Sequence, residues 1–414
     1  MGKFLISGGT PLQGEIHVSG AKNAALPIIT AAMMADGPSR LLDIPYLRDV
    51  RNLCKIIEKM GCRVERNNNE LYIDPRNLNT PEADHELARK LRASYYILGV
   101  LLTKKHWART SLPGGCNIGN RPIDLHLKGF KALGASVKLD HGIVEVKADS
   151  LEGQRIYLDY PSVGATINIM LAATMAEGTT IIENAAREPE IVDLANYLTV
   201  MGAKIKGVGT DIIKIEGVKS LAGAEHRIIP DRIEAGTYMM AAALTGGDVF
   251  VENVLAEHVK PLIAKLKEMG VELKEDIKGV YIKNGNQLNA VDVKTLPYPG
   301  FPTDLQSQMM VLLTQADGTS LVIETVFENR FMHVDELKRM GADIKIDGHS
   351  ALIKPSKLTG AEVTAYDLRA GAALILAGLI AEGDTEIRDI YHIERGYENI
   401  EDKLSSIGGK IRKV

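Results

Sequence analysis

The sequence predicts an α/β protein of two domains, built from six copies of one unit of about 70 residues with three copies in each domain. Three observations predict it. The first is a short motif that closes an amphipathic helix six times: Met60-Gly61-Cys62, Leu133-Gly134-Ala135, Met201-Gly202-Ala203, Met269-Gly270-Val271, Met340-Gly341-Ala342 and Ile407-Gly408-Gly409. Its glycines lie 73, 68, 68, 71 and 67 residues apart by subtraction of their numbers, and a near-constant period marks an internal repeat. The second is an Ala-rich segment early in each copy, such as Ala24–Ala35 or Thr166–Glu177, apolar nearly all round and so expected to be a buried helix. The third is an imbalance at the ends. The sixth copy stops after one strand, Lys410–Val414, while the chain start offers two unattached strands, Phe4–Ser7 and Glu15–Val18. The N-terminal segment is therefore expected to complete the last sheet. The chain would cross twice between a first domain at 20–229 and a second formed by 1–19 and 230–414, and a cleft at that seam is the default ligand site.

The elements follow one order in each copy. The third copy illustrates it: the apolar helix leads into a strand at Thr179–Glu183, then an amphipathic helix at Ile191–Met201, then two short strands at Ala203–Lys206 and Asp211–Ile215. The other copies start near Arg92, Arg232, Asp304 and Leu368. The recurrent Gly takes the position just past a helix end, where a left-handed backbone costs it nothing.

Composition narrows the function. With 45% hydrophobic and 25% charged residues over 414 positions the chain can bury large cores. Its 49 basic and 53 acidic residues, net −4, argue against a nucleic-acid binder acting through bulk charge. No apolar run is long enough for a membrane span, and no signal-type apolar region opens the chain. Cys54, Cys62 and Cys116 form no metal-ligand spacing and leave an odd thiol, which fits a reducing cytoplasm. Cys54 and Cys62 read as core. Walker, zincin and hydrolase-elbow motifs are absent, and Gly207-Val208-Gly209 joins two strand patterns, so neither a metal nor an organic cofactor is implied. The histidines keep no ligand spacing, and His333 reads as structural.

Chemistry concentrates in Leu112–Pro122. Three glycines in six residues loosen this segment around Cys116, and Arg109 and Arg121 lie nearby in sequence. A thiol so placed can act as acid, base or nucleophile, and the alternative is a Gly-Gly turn carrying a buried Cys. Elsewhere, polar residues gather where the apolar helices begin: Lys22-Asn23, Arg92, Ser162, Asp231-Arg232, Thr303-Asp304 and Asp367-Leu368-Arg369. Ser162, Thr303 and Asp367 have the chemistry of N-caps. Capping does not account for Lys22, Arg92, Arg232 and Arg369, since a cation at a helix N-terminus is unfavourable unless an anion is shared there. Loops before the amphipathic helices carry Arg48, Arg121, Glu188, Arg330 and Arg395. The pattern suits a substrate with several negative charges, and solvated surface charge is the competing account.

These residues sit in stretches that resemble the enolpyruvyl transferase family over the whole chain. The carriers are SGAKNAALP (Ser19–Pro27), LPGGCNIGNRPIDLH (Leu112–His126), PSVGAT (Pro161–Thr166), ENAAREPEIVDLAN (Glu183–Asn196), PDRIEAGT (Pro230–Thr237), FPTDLQSQ (Phe301–Gln308), ETVFENRFMH (Glu324–His333) and DLRAGAAL (Asp367–Leu374). The resemblance implies an inside-out α/β barrel of two three-repeat domains. It also implies transfer of the enolpyruvyl group of phosphoenolpyruvate to the 3′-hydroxyl of UDP-N-acetylglucosamine with release of phosphate, the first committed step of peptidoglycan precursor synthesis. The GGCNIGNRPIDLH stretch sets the chain apart from the branch that uses shikimate 3-phosphate, and Lys22, Cys116, Asp304 and Arg395 set it apart from a catalytically silent nucleotide-sugar binder.

Roles follow from the resemblance by position. Cys116 would protonate C3 of phosphoenolpyruvate, with a covalent adduct also open to it, and Asp304 would take the proton of the sugar hydroxyl. Lys22, Asn23, Arg92, Arg121 and Arg395 would hold phosphoenolpyruvate, with Lys22 and Arg395 acting in catalysis. The nucleotide sugar would meet Arg121, Pro122, Ile123, Asp124 and Leu125 on one stretch, and Arg92, Ser162, Val163, Asp304 and Val326 elsewhere. Asp231, Arg330, Asp367 and Arg369 would support the centre. Tyr160 stands where some members carry a lysine that reaches the uridine diphosphate, which leaves that contact open. The expected protein is a cytoplasmic monomer without cofactor, metal, nucleic-acid or membrane partner, whose Cys116 loop closes over the cleft when the nucleotide sugar binds.

Overall fold

The computed structural model describes residues 2–112, 122–283, 285 and 287–414. They form two compact units, one of residues 20–112 and 122–229, the other of residues 2–19 and 230–414. In the first, three apolar helices, α1 (Lys22–Ala32), α2 (Tyr96–Lys105) and α3 (Val163–Ala173), pack in sequence, α2 touching both others. All of α1 from Ala24 onward and all of α3 from Ala165 onward are buried, as sequences with no polar face require. In the second, α4 (Arg232–Leu244), α5 (Gln306–Leu313) and α6 (Leu368–Ile380) each touch the other two. The sheets lie outside these helices, and their strands alternate buried with more open positions, as in Ile212–Glu216 and Asp384–Arg388.

Each copy repeats one topology. A leading strand runs parallel to the strand that follows the apolar helix, and an antiparallel pair of strands completes the sheet. In the third copy Arg155–Tyr157 leads, Thr179–Glu183 lies beside it, and Ile212–Glu216 and Lys204–Lys206 follow. In the second copy the leading strand is reduced to a single parallel bridge between Glu82 and Arg109. The six recurrent glycines behave alike: Gly61, Gly134, Gly202, Gly270, Gly341 and Gly408 all have φ between +91° and +113°, the left-handed stop that the repeat predicts.

The chain start departs from expectation in one respect. Phe4–Ser7 does complete the sixth sheet, lying antiparallel to both Asp384–Arg388 and Lys410–Lys413. The second strand, at Gln13–His17 rather than Glu15–Val18, does not join it. It leads the fourth sheet instead, parallel to Asp248–Glu252. Glu225–Arg227 in turn leads the first sheet, parallel to Ser39–Leu42. The leading strands of copies one and four are thus exchanged relative to chain order, because the chain passes from one unit to the other directly after each. Backbone bonds fix both passages: Val18 N–H to the Glu252 carbonyl at 3.1 Å and Asp231 N–H to the Ser19 carbonyl at 2.9 Å, then Ile228 N–H to the Leu42 carbonyl at 3.1 Å and Ala21 N–H to the Ile229 carbonyl at 2.7 Å.

A buried ionic knot anchors the first passage. Glu234 accepts from the Ser19 N–H at 2.9 Å, the Lys403 ammonium at 2.7 Å and the Tyr238 hydroxyl at 2.8 Å. Burial raises the Glu234 pKa and Lys403 works against that rise.

Candidate active site

On the unit of residues 20–229, the site residues begin directly after the passage. Gly20 is there for steric reasons: a Cβ on it would lie 1.9 Å from the Asp43 carbonyl oxygen. That close approach lets α1 start at Lys22. The Lys22 side chain is only 12% exposed and its ammonium stands 3.8 Å from the Asp49 carboxylate, in the first turn of Arg48–Lys59. Gly20→Ala is expected to cost about 1–3 kcal/mol in urea unfolding, since the clash is with backbone and cannot be relieved by a rotamer change. An unchanged midpoint would show that the passage can shift freely.

Arg92 opens the 3-10 turn Arg92–Tyr95, its guanidinium 6.0 Å from the Tyr95 ring. Behind it lies a network that sequence reading passed over. Asn168, buried in α3, donates to the Tyr95 carbonyl at 2.8 Å and to His126 Nδ1 at 3.1 Å, and accepts from the Gly99 N–H at 3.0 Å. His126 is buried, and its pKa is pushed down to about 3, by burial first and by Arg92 second. It is a neutral ring with Nδ1 as acceptor. Gly164 makes room for it: a Cβ there would sit 2.9 Å from His126 Nε2. The network thus binds α2, α3 and the helix Asp124–Ala132, the elements that carry Ser162, Val163 and Ile123–Leu125. Ser162 caps α3 by accepting the Ala165 N–H at 3.3 Å. Pro122 and Asp124 are exposed, Leu125 and Val163 half-buried, while the Ile123 side chain belongs to the core. The role expected of Cys116, and that of Arg121, fall on residues outside those described. Cys54 and Cys62 are not rivals to that thiol: burial pushes both up to about 12.

On the unit of residues 2–19 and 230–414, the centre is Asp304, in the turn Thr303–Leu305 that precedes α5. One carboxylate oxygen accepts from Arg330 Nη2 at 2.7 Å and the other from Arg369 Nη2 at 3.0 Å. Both arginines are nearly inaccessible, at 3% and 4% of their side chains, while Asp304 keeps 29%. Two buried guanidinium groups thus hold one partly open carboxylate in its ionised form. Asp304 in return keeps the Arg369 pKa raised against the effect of burial. Each supporting residue has a local reason to be where it is. Asp367 caps α6 through the N–H groups of Arg369 and Ala370 at 2.7 and 3.1 Å, and Asp231 caps α4 through those of Ile233 and Glu234 at 2.8 and 3.1 Å.

Thr303 is not the N-cap its chemistry suggested. Its hydroxyl donates instead to Glu324 at 2.9 Å. Glu324, buried, also accepts from the Thr295 hydroxyl at 2.9 Å and the N–H groups of Val326 and Phe327 at 2.8 and 3.2 Å. One carboxylate therefore shapes both the Asp304 turn and the Val326 turn. The run ETVFE contained it, but nothing in the run separates an organising acid from a surface one. His333 is buried, with its pKa pushed down to about 4 by burial, so it is a neutral structural ring as expected. Arg395 ends the 3-10 turn Ile390–Arg395 and is half-buried, and Arg232 lies 5.6 Å from the Tyr298 ring. Among the described residues no cluster of His, Cys, Asp and Glu is suited to a metal, and no helix is long and apolar enough to cross a membrane. The arrangement can neutralise anions beside Lys22 and Arg92, and at Asp304 it offers an ionised carboxylate as proton acceptor.

Comparison with known proteins agrees with this chemistry. The family described as EPSP synthase (3-phosphoshikimate 1-carboxyvinyltransferase) matches residues 6–404. The chain is 82% identical over 414 residues, the full length of both, to the UDP-N-acetylglucosamine 1-carboxyvinyltransferase of Halothermothrix orenii. It is 58% identical over 410 residues, 99% of each chain, to UDP-N-acetylglucosamine 1-carboxyvinyltransferase 1 of Caldanaerobacter subterraneus subsp. tengcongensis. Among solved structures, the enolpyruvyl transferase NikO from Streptomyces tendae is similar with a TM-score of 0.90 at 25% identity, covering 100% of this chain and 99% of that one. An EPSP synthase from Acinetobacter baumannii shares the fold, with a TM-score of 0.79 at 20% identity over the full length of both chains.

Proposed function

We infer, for a chain that belongs to the EPSP synthase (3-phosphoshikimate 1-carboxyvinyltransferase) family of enolpyruvyl transferases, that its acceptor is UDP-N-acetylglucosamine. It is a transferase that moves the enolpyruvyl group of phosphoenolpyruvate to the 3′-hydroxyl of that nucleotide sugar and releases phosphate. The product enters peptidoglycan precursor synthesis. The enzyme acts as a cytoplasmic monomer and needs no cofactor.

The observation that carries the reading is the Asp304 carboxylate, ionised between Arg330 and Arg369 yet still partly open. Phosphoenolpyruvate brings a phosphate and a carboxylate, and the acceptor brings a diphosphate. Lys22, Asn23, Arg92, Arg121 and Arg395 neutralise and orient the first. Ser162, Val163, Val326 and the Pro122–Leu125 stretch receive the second. Cys116 protonates C3, which develops positive charge at C2. The sugar hydroxyl attacks C2 as Asp304 takes its proton, giving a tetrahedral ketal. Loss of phosphate and of a C3 proton completes the transfer. Holding the two anions in register supplies part of the rate through orientation.

The test is phosphate release from phosphoenolpyruvate with UDP-N-acetylglucosamine or shikimate 3-phosphate as acceptor. Release with the nucleotide sugar alone is expected. Release with shikimate 3-phosphate would keep the chemistry and overturn the acceptor. Tight nucleotide-sugar binding without release would make the chain a silent binder.

A further inference from the structure

Behind Asp304 lies a buried side chain to which nothing above gives a role. Tyr397 follows Arg395 by two residues, in a turn closed by its N–H bond to the Ile393 carbonyl at 3.1 Å. Its side chain is inaccessible, at 2% exposure for the residue. The ring lies beneath Arg369, whose guanidinium carbon is 5.5 Å from the ring centroid. The phenol meets Thr237 Oγ1 at 2.9 Å and accepts from Gln308 Nε2 at 3.2 Å. Thr237 spends its own proton on the Ile233 carbonyl at 2.9 Å, so the phenol is the donor in the Tyr397–Thr237 bond. Gln308 Nε2 also donates to the backbone carbonyl of Asp304 at 3.1 Å.

We propose that Tyr397 is a positioning residue for Asp304, its ring acting on the carboxylate through Arg369, and that it ties this centre to the turn bearing Arg395. The proposal rests on the reading of Asp304 as the base. Its physics is simple. A guanidinium over an aromatic face in a desolvated site is attracted to it, so the ring fixes the plane from which Arg369 donates to Asp304. Loss of the ring frees Arg369, weakens its hold on the carboxylate and raises the Asp304 pKa. Among the described residues, the other charged or titratable groups that bear on this centre are Arg330 in direct contact with Asp304, Asp231 acting on Arg369, Asp367 capping the helix whose first turn holds Arg369, Glu324 bonded to Thr303, and neutral His333 beside Arg330 and Asp367. Substitution at Tyr397 alters none of these in sequence, so a shift at Asp304 that appears without the ring and not on loss of the phenol alone reports the ring.

The experiment compares Tyr397→Leu with Tyr397→Phe in the full-length chain. The Leu variant is expected to lose roughly thirtyfold in kcat, the equivalent of about 2 kcal/mol for a desolvated cation over a ring, with KM for the nucleotide sugar little changed. The acid limb of its kcat profile moves up by about one pH unit, a tenfold change in proton affinity. The Phe variant keeps the ring and the wild-type limb. Tyr397→Met, which fills more of the lost volume, serves the same comparison if the Leu variant does not fold. Titration of the Asp304 carboxyl carbon by 13C NMR, assigned by its loss in Asp304→Asn, gives a readout that needs no turnover. If the wild type releases no phosphate, the functional reading falls while this titration still decides the role of Tyr397. An Asp304 titration identical in wild type and in the ring-less variants overturns the proposal, as does an equal shift in Leu and Phe variants.

Discussion

Asp304→Asn is expected to lower kcat for phosphate release by about 10²- to 10⁴-fold, the range for a lost general base. The substitution keeps the shape of the side chain and one acceptor oxygen, so it leaves one of the two guanidinium bonds in place. It removes the carboxylate between Arg330 and Arg369 that can take up a proton. The two arginines then face each other with less compensation, at 3% and 4% exposure, and buried cations that lose a partner are destabilising. The variant should therefore unfold at lower temperature and bind the anionic acceptor at least as tightly, because the site has gained net positive charge. That pairing, slower turnover with KM for the nucleotide sugar unchanged or reduced, separates a base from a binding residue. Steady-state kinetics beside a thermal melt measure both. A variant that keeps more than a tenth of wild-type kcat would take the base role from Asp304 and leave it as a counter-ion.

What the sequence reveals of this site follows the range over which its interactions act. The six left-handed glycines were visible because a helix stop is written within a few residues. Phe4–Ser7 could be assigned to the last sheet because counting strands exposed a gap. The exchange of Gln13–His17 and Glu225–Arg227 could not be seen, since an alternating pattern identifies a strand without saying which sheet edge it joins. Thr303 followed the same logic: its cap chemistry is local, but Glu324, 21 residues away, is the acceptor it meets. Asp304 with Arg330 and Arg369, and His126 with Asn168, are pairs separated by 26, 65 and 42 residues. In each case the residue types were suggestive, while the pairing depends on the repeat bringing equivalent turns together. The family resemblance supplied what periodicity could not, namely which polar turns belong to chemistry.

Cys116 is the residue on which the largest qualitative contrast rests. Protonating C3 needs an acid still holding its proton near neutral pH and able to release it there. A free thiol, with pKa about 8.5, meets both conditions, and a serine hydroxyl is far too weak an acid. A carboxyl, with pKa about 3.9, is strong enough but is protonated in only about one molecule in a thousand at pH 7. Cys116→Ser should therefore be inactive at every pH. Cys116→Asp should retain turnover and gain rate as the pH falls from 7 toward 5, in the direction opposite to a thiol acid, which is already protonated there. The same logic fixes the response to a thiol-alkylating epoxide analogue of the substrate. The wild type should be inactivated with one alkyl group per chain, because burial pushes Cys54 and Cys62 up to about 12 and leaves them without thiolate at neutral pH. Cys116→Asp should not be inactivated. Mass spectrometry of the alkylated chain and pH–rate profiles of the three proteins decide the matter. If Asp and Ser variants are equally inactive across that range, the proton at C3 comes from another group and Cys116 keeps only its part in the adduct.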